Sequence, residues 1–274
     1  MNSLLPIPVA RNDKRLYMLS LFYAREKWAK LISTINIFFQ ERQSLFSNCL
    51  ISFSEEKGEN LQVCFISPLN DNNNYTNETQ SFFESFFEEN PSINTTKFPY
   101  GESLWGFYPN NSLVWNRFSL YSFSDNYIQF HQITIDAVLS LLEDDLSEDS
   151  VFSLVIYLIT KELSRIEKDE QKNSLFKALN ASKIKFSKIA YTAKELVEKI
   201  NIEEVSEVIE SYWHETEDNC TPEVKLWTKE TDIFLKNSDF NEFCNIICKI
   251  TGLSGLRQLI ILDLINNWYN KQFY

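Results

Sequence analysis

Near residue 127 the hydrophobic rhythm of this chain changes, and that change limits the folds open to it. Upstream, "ENLQVCFISP" (59–68) alternates Leu61, Val63 and Phe65 with Asn60, Gln62 and Cys64. Such a period of two sends successive side chains to opposite faces of a sheet. "RLYMLSLFY" (15–23) reads as a buried first strand, and "AREKWAKLISTINIFFQER" (24–42) as a helix with Trp28, Leu31, Ile32, Ile35 and Phe38 on its apolar stripe. "CLISFSEEKGENLQVCFIS" has the pattern of a hairpin about a charged turn containing Gly58. "NETQSFFESFFEE" (77–89) is a short amphipathic helix carrying Phe82, Phe83, Phe86 and Phe87. This β-α-β-β-α order predicts a ferredoxin-like sheet layered with helices. Residues 94–123, broken by Pro99, Gly101, Gly106 and Pro109 and rich in aromatics, read as irregular with one or two further strands.

Downstream the period is that of helices. "ITIDAVLSLLEDD", "SVFSLVIYLITKELSRI", "KNSLFKALNASKIKFSKIAYTAKELVEKI", "EEVSEVIESYWHE", "PEVKLWTKETDIFLK", "DFNEFCNIICKI" and "GLRQLIILDLINNWYNK" each carry apolar residues at helical spacing. Pro222 suits a helix start, and Gly252 the position just past a helix end. The predicted class is α+β: a sheet-containing region over 1–126 and a helical region over 127–274, expected to pack as one compact domain.

A net charge of −12 argues against broad nucleic-acid binding, because phosphate backbones need clustered Lys and Arg. No apolar run approaches the roughly 18 residues that span a bilayer. "MNSLLPIPVARNDKR" is interrupted by two prolines and lacks the build of a signal peptide. Five cysteines, Cys49, Cys64, Cys220, Cys244 and Cys248, are few and odd in number, which suits reduced thiols in a cytoplasm.

Five glycines offer neither a phosphate-cradling loop nor a dinucleotide fingerprint. His131 and His214 form no metal-binding pair, and Cys244 with Cys248, four apart on one helix face, would make a poor zinc site. No cofactor and no metal are expected. Trp213-His214-Glu215 raises a general-base idea, but neighbours on a helix point in different directions, so His214 reads as a surface residue. His131, beside Phe130 at the entry of a helix, suits either a cleft or a structural role. "EDDLSED" (143–149) reads as a solvated helix junction, and "SKIKFSK" (182–188) as local positive charge on a solvated face or a peptide-docking stretch.

Two short segments and the order of elements resemble the carboxy-terminal glutamate-elimination domain of class I lantibiotic dehydratases, a group that includes the stand-alone thiopeptide pyridine synthases. The likeness covers most of the chain. The elimination family's hairpin strand reads close to His-Leu-Arg-Leu-Arg-Phe, and here it is "NLQVCF". Its late helix, like Ile-His-Met-x-x-Asn-Arg-Leu-Phe, is matched by "FNEFCNIIC", and a last helix follows in both. "DAVLSLL" (136–142) resembles the helix after the family's Asp-Ser pair, and Arg117-Phe118 stands where that family has Arg-Tyr-Gly. The strand histidine and arginines thus fall on Asn60, Gln62 and Cys64. The helix His and Arg fall on Asn241 and Ile246, while Asn245 is kept.

Eliminating glutamate from a glutamylated Ser or Thr needs a base for the α-proton and cations for the departing carboxylate. Amides and a thiol cannot replace guanidiniums there. The resemblance therefore implies a retained scaffold and lost elimination chemistry, as in the pyridine synthases. Those enzymes join two dehydroalanines of a leader-bearing peptide in a formal aza-[4+2] cycloaddition, then lose water and the leader as the pyridine aromatises. The chemistry requires held alkenes and neutral hydrogen-bond donors rather than a cofactor.

Transferred from the elimination family's site, the expected catalytic residues are Ser238, Asn241, Asn245, His131 and Tyr121, with Arg117, Asn60 and Gln62 binding the substrate peptide. Ser238, Asn241 and Asn245 follow i, i+3, i+7 spacing and would share a helix face. Ser238 equally suits a helix N-cap. Two other readings stand beside the cyclase: an elimination subunit of a split dehydratase, and a non-catalytic domain that binds a leader peptide. The expected partners are a modified precursor peptide and other biosynthetic enzymes, without nucleic acid or membrane.

Overall fold

The computed structural model describes residues 9–11, 13–68, 74–93, 107–115, 124–143, 145–236 and 238–273. It has the α+β class, with a five-stranded antiparallel sheet and ten α-helices among the described residues. Two compact units share the chain, Met1–Ile128 and Gln129–Tyr274.

In the first unit β1 (Val9–Arg11) precedes β2 (Lys14–Phe22), so the segment expected to be the first strand is the second. After a 3-10 turn comes α1 (Trp28–Glu41), then β3 (Asn48–Ser54), β4 (Asn60–Pro68), α2 (Thr76–Glu89) and β5 (Ser112–Trp115). β4 lies between β2 and β3, pairing Phe22 with Asn60 on one side and Ser54 with Asn60 on the other. β1 and β5 occupy opposite ends of the remaining edge of β2.

One sheet face carries Leu61, Val63 and Phe65, and α1 and α2 cover it with aromatic rings. The Phe38 ring lies 5.1 Å from Phe65, and Trp28 lies 5.2 Å from Phe53. The α1 stripe buries Trp28, Leu31, Ile32, Ile35 and Phe38, the five positions picked by helical spacing. On α2, Phe83, Phe86 and Phe87 are buried, whereas Phe82 is half-buried beneath the Arg42 guanidinium. The second sheet face is buried as well: Asn60, Cys64, Ser20 and Ser52 are all below one tenth exposed.

The second unit contains the rest of α3 (Asp125–Leu142), followed by α4 (Glu148–Arg165), α5 (Lys168–Lys185), α6 (Ala190–Val197) and α7 (Ile202–His214). After a 3-10 turn over Glu217–Asn219 come α8 (Pro222–Leu235), α9 (Phe240–Ile250) and α10 (Gly255–Phe273). The long helix expected over 172–200 is two, parted by turns at 186–189. α4 and α10 are buried all round along their middle turns, Leu154–Leu163 and Gln258–Ile265 in unbroken runs. Helices of that kind form a core rather than a surface layer. Gly255 opens α10 because the Phe186 ring would stand 2.5 Å from any Cβ placed there. Gly252 closes α9 with φ of 72°, the left-handed position where a side chain is disfavoured.

Candidate functional site

Asn60 sits where β4 leaves the hairpin turn, and its alternation with Leu61 turns the amide onto the second sheet face. Its Nδ2 donates to the carbonyls of Gly58 at 2.8 Å, Glu56 at 3.1 Å and Ser54 at 3.4 Å, with the side chain fully buried. These bonds brace a turn in which Lys57 and Gly58 both have positive φ, 64° and 120°. Gln62, half-buried, donates weakly to Ser54 Oγ at 3.4 Å and lines a small crevice with Ser20, Phe22, Glu56, Lys57 and Tyr108. Burial pushes the Cys64 thiol up, keeping it protonated. Instead of two guanidiniums and an imidazole, this face holds neutral groups, one of which closes the turn.

On α9 the N-cap is Asp239, whose carboxylate accepts from Glu242 N at 2.7 Å. Ser238 lies one residue earlier, so the cap role expected for it belongs to its neighbour. Asn241 and Asn245 do meet: Asn245 Nδ2 donates to the Asn241 carbonyl at 2.7 Å and to its Oδ1 at 3.2 Å. Asn245 Oδ1 accepts from Lys185 Nζ at 2.8 Å and from Gln258 Nε2 at 3.2 Å. Gln258, nearly fully buried, also donates to Ser182 Oγ at 3.0 Å. The polar face of α9 is thus tied to α5 and α10 through Asn245. Its inner face carries Cys244 and Cys248, both buried. Desolvation raises the Cys244 thiol well above its ordinary value and pushes Cys248 up to about 12.

His131 lies one and a half turns inside α3, which begins at Asp125, rather than at the helix entry. It is 1% exposed, in a helix whose neighbouring Phe130 stacks on Phe234 at 4.3 Å. Arg117 and Tyr121 fall outside the described residues.

Sequence reasoning missed a cavity in the helical unit. It occupies about 500 Å³ of the helical unit, between α4, α7, the 3-10 turn and the start of α8. Tyr157 and Tyr212 wall it, their rings edge-to-face at 5.0 Å. Beside them Glu215, the residue just past α7 with extended backbone, is half-buried, while His214 is exposed. Glu215 Oε2 accepts from Tyr157 Oη at 2.6 Å, Lys161 Nζ at 3.2 Å and Cys220 Sγ at 3.4 Å. Lys161 Nζ also donates to the Glu215 carbonyl at 2.7 Å. Burial works against the charge on Glu215, but these hydrogen bonds outweigh it and hold the carboxyl below its ordinary range. Burial and the adjacent carboxylate push the Tyr157 phenol up, so it stays a donor. Such a carboxylate is a fixed anion rather than a general base, which would need a pKa near the working pH.

The sequence matches no protein-family model and no curated protein. A solved structure does match the fold, with a TM-score of 0.59, 13% identity, and coverage of 94% of this chain and 98% of the other. That protein is a pyridine synthase, TbtD, from thiomuracin biosynthesis. At this identity the likeness is one of fold, and it runs nearly end to end in both chains. Among the described residues no group of His, Cys, Asp and Glu is placed to hold a metal ion, and no helix is long and apolar enough to cross a membrane.

Proposed function

We propose that this chain is a pyridine-forming thiopeptide cyclase, acting on a leader-bearing peptide with two dehydroalanines. The observation that carries the reading is the end-to-end fold likeness to a pyridine synthase. The strand order β3-β4-β2-β5, with α1 and α2 as the connections, supports reading the sheet as ferredoxin-like. The neutral groups at Asn60, Gln62 and Cys64 weigh against elimination, which needs cations for the departing carboxylate.

In this proposal the chain holds two alkenes near attack distance, favours the imidic-acid tautomer with neutral donors, and assists the loss of water and leader. The candidates are unequal. The Ser238 hydroxyl and the Asn241 amide are half-buried at the start of α9 and suit donation to a substrate carbonyl. Asn245 and Asn60 are engaged with protein groups, which suits positioning and turn formation instead. His131 is buried, and Tyr121 and Arg117 stay proposals from the resemblance alone. A cytoplasmic setting with other peptide-modifying enzymes goes with the reading. No cofactor is invoked.

The engagement of Asn60 and Asn245 favours one second reading, a domain that binds a leader peptide without turning it over. Incubation with a bis-dehydroalanine peptide and, separately, with its glutamylated precursor separates these readings. A cyclase converts the first, an eliminase releases glutamate from the second, and a binding domain changes neither.

A further inference from the structure

The cavity beside Glu215 plays no part in the cyclase reading, and its lining is chemically one-sided. Two carboxylates reach it, Asp149 and Glu215, and no Lys or Arg is in the wall among the described residues. Leu141, Leu142, Leu154 and Val224 supply an apolar floor. Lys161 meets Glu215 through Oε2 and the backbone carbonyl and is not itself a wall residue. The three donors to the Glu215 side chain all use Oε2, which leaves Oε1 with no donor among the described residues. A carboxylate whose one oxygen is fixed by three bonds cannot swing away, so Oε1 is a preorganised acceptor. Asp149 is exposed on the first turn of α4, with no ion-pair partner among the described residues.

We infer that this cavity binds a cationic nitrogen, an ammonium or guanidinium on an apolar stem, with Glu215 Oε1 and Asp149 as its anions. A guanidinium matches this set because it donates along a fork to more than one acceptor and lies well on tyrosine faces. The stem would cover the leucines and Val224. A volume of about 500 Å³ exceeds that of one basic side chain and lies in the ordinary range for ligand sites. The chain's charge of −12 raises the local concentration of cations. Two sources share this chemistry, a basic side chain of a peptide and a free amine.

Calorimetric titration of the whole chain tests the proposal without any turnover. The probes are agmatine, a capped Gly-Arg-Gly peptide, and a capped Gly-citrulline-Gly peptide of nearly equal shape and no charge. The guanidinium probes are expected to bind at least tenfold more tightly than the citrulline peptide, with an affinity that falls as salt is added. The peptide outranking agmatine marks a peptide ligand, and the reverse order marks a free amine. Glu215→Gln and Asp149→Asn should each weaken guanidinium binding about tenfold. Should Glu215→Gln unfold by circular dichroism through loss of the Lys161 partner, the exposed Asp149→Asn variant decides. Equal binding of arginine and citrulline peptides, no binding of either guanidinium probe, or affinity untouched in Asp149→Asn overturns the inference.

Discussion

Replacing Asn60 tests whether the hairpin turn, rather than a substrate, is what this amide serves. In Asn60→Ala the carbonyls of Gly58, Glu56 and Ser54 lose donors at 2.8, 3.1 and 3.4 Å. Two of these bonds are short enough to count fully, at about 1 kcal/mol net each, and a buried acceptor left unmet adds to that. The expected loss is about 2–3 kcal/mol. At roughly 2–4 °C per kcal/mol for a chain of this size class, Tm should fall by roughly 4–12 °C. Asn60→Asp keeps the volume but turns a donor into a buried anion facing three carbonyl oxygens, and should be worse, by about 4 kcal/mol or more. Thermal denaturation gives the shift, and turnover per folded molecule gives the activity. Turnover in Asn60→Ala should persist wherever the protein stays folded. A Tm within about 1 °C of the parent together with lost turnover would refute this reasoning and return Asn60 to the substrate.

At the start of α9, Asp239→Ala should cost about 1 kcal/mol as a lost N-cap, while Ser238→Ala should cost less. Single-turnover rates on the same two variants complete the comparison. If Ser238 donates to the reacting peptide, its loss lowers cyclisation about tenfold or more at unchanged leader affinity. Glu162, buried and only partly offset by Arg165, is pushed by desolvation up to about 7 from 4.5. Its folded pKa is raised, so the folded state holds a proton that the unfolded chain releases. The contribution is therefore full below about pH 4.5 and is lost as pH rises through 7. Urea denaturation should show stability falling by roughly 3 kcal/mol across that window from this group, and the fall should flatten in Glu162→Gln. An equal fall in both proteins would exonerate Glu162.

What was legible in the sequence was what periodicity encodes. The α1 stripe came out residue for residue, because five apolar side chains at helical spacing have one way to face a sheet. The hairpin was equally readable from its alternation and Gly58. The burial of the second strand face was not, since an Asn in a strand looks solvated until the turn carbonyls that it bonds are known. Nor was the break at 186–189, which no Pro or Gly marks. The start of α3 was missed for a similar reason, and with it the depth of His131. Glu215 was considered only against its sequence neighbour His214, whereas its partners Tyr157 and Lys161 lie more than fifty residues away on α4. One signal was available: a Tyr and a Lys four apart within the apolar stretch of α4, a spacing that puts both on one face.

The assignment as a cyclase is tested most directly by intact-mass spectrometry on a leader-bearing peptide with two dehydroalanines, incubated with the protein alone. Cycloaddition by itself conserves mass, and aromatisation then removes one water and the leader as its amide. The expected result is time-dependent, equimolar appearance of free leader amide and a pyridine-containing macrocycle lighter than the substrate by the leader amide and one water. Unchanged substrate, from protein shown by circular dichroism to be folded and by titration to bind the leader, would contradict the assignment and leave a leader-binding domain in its place.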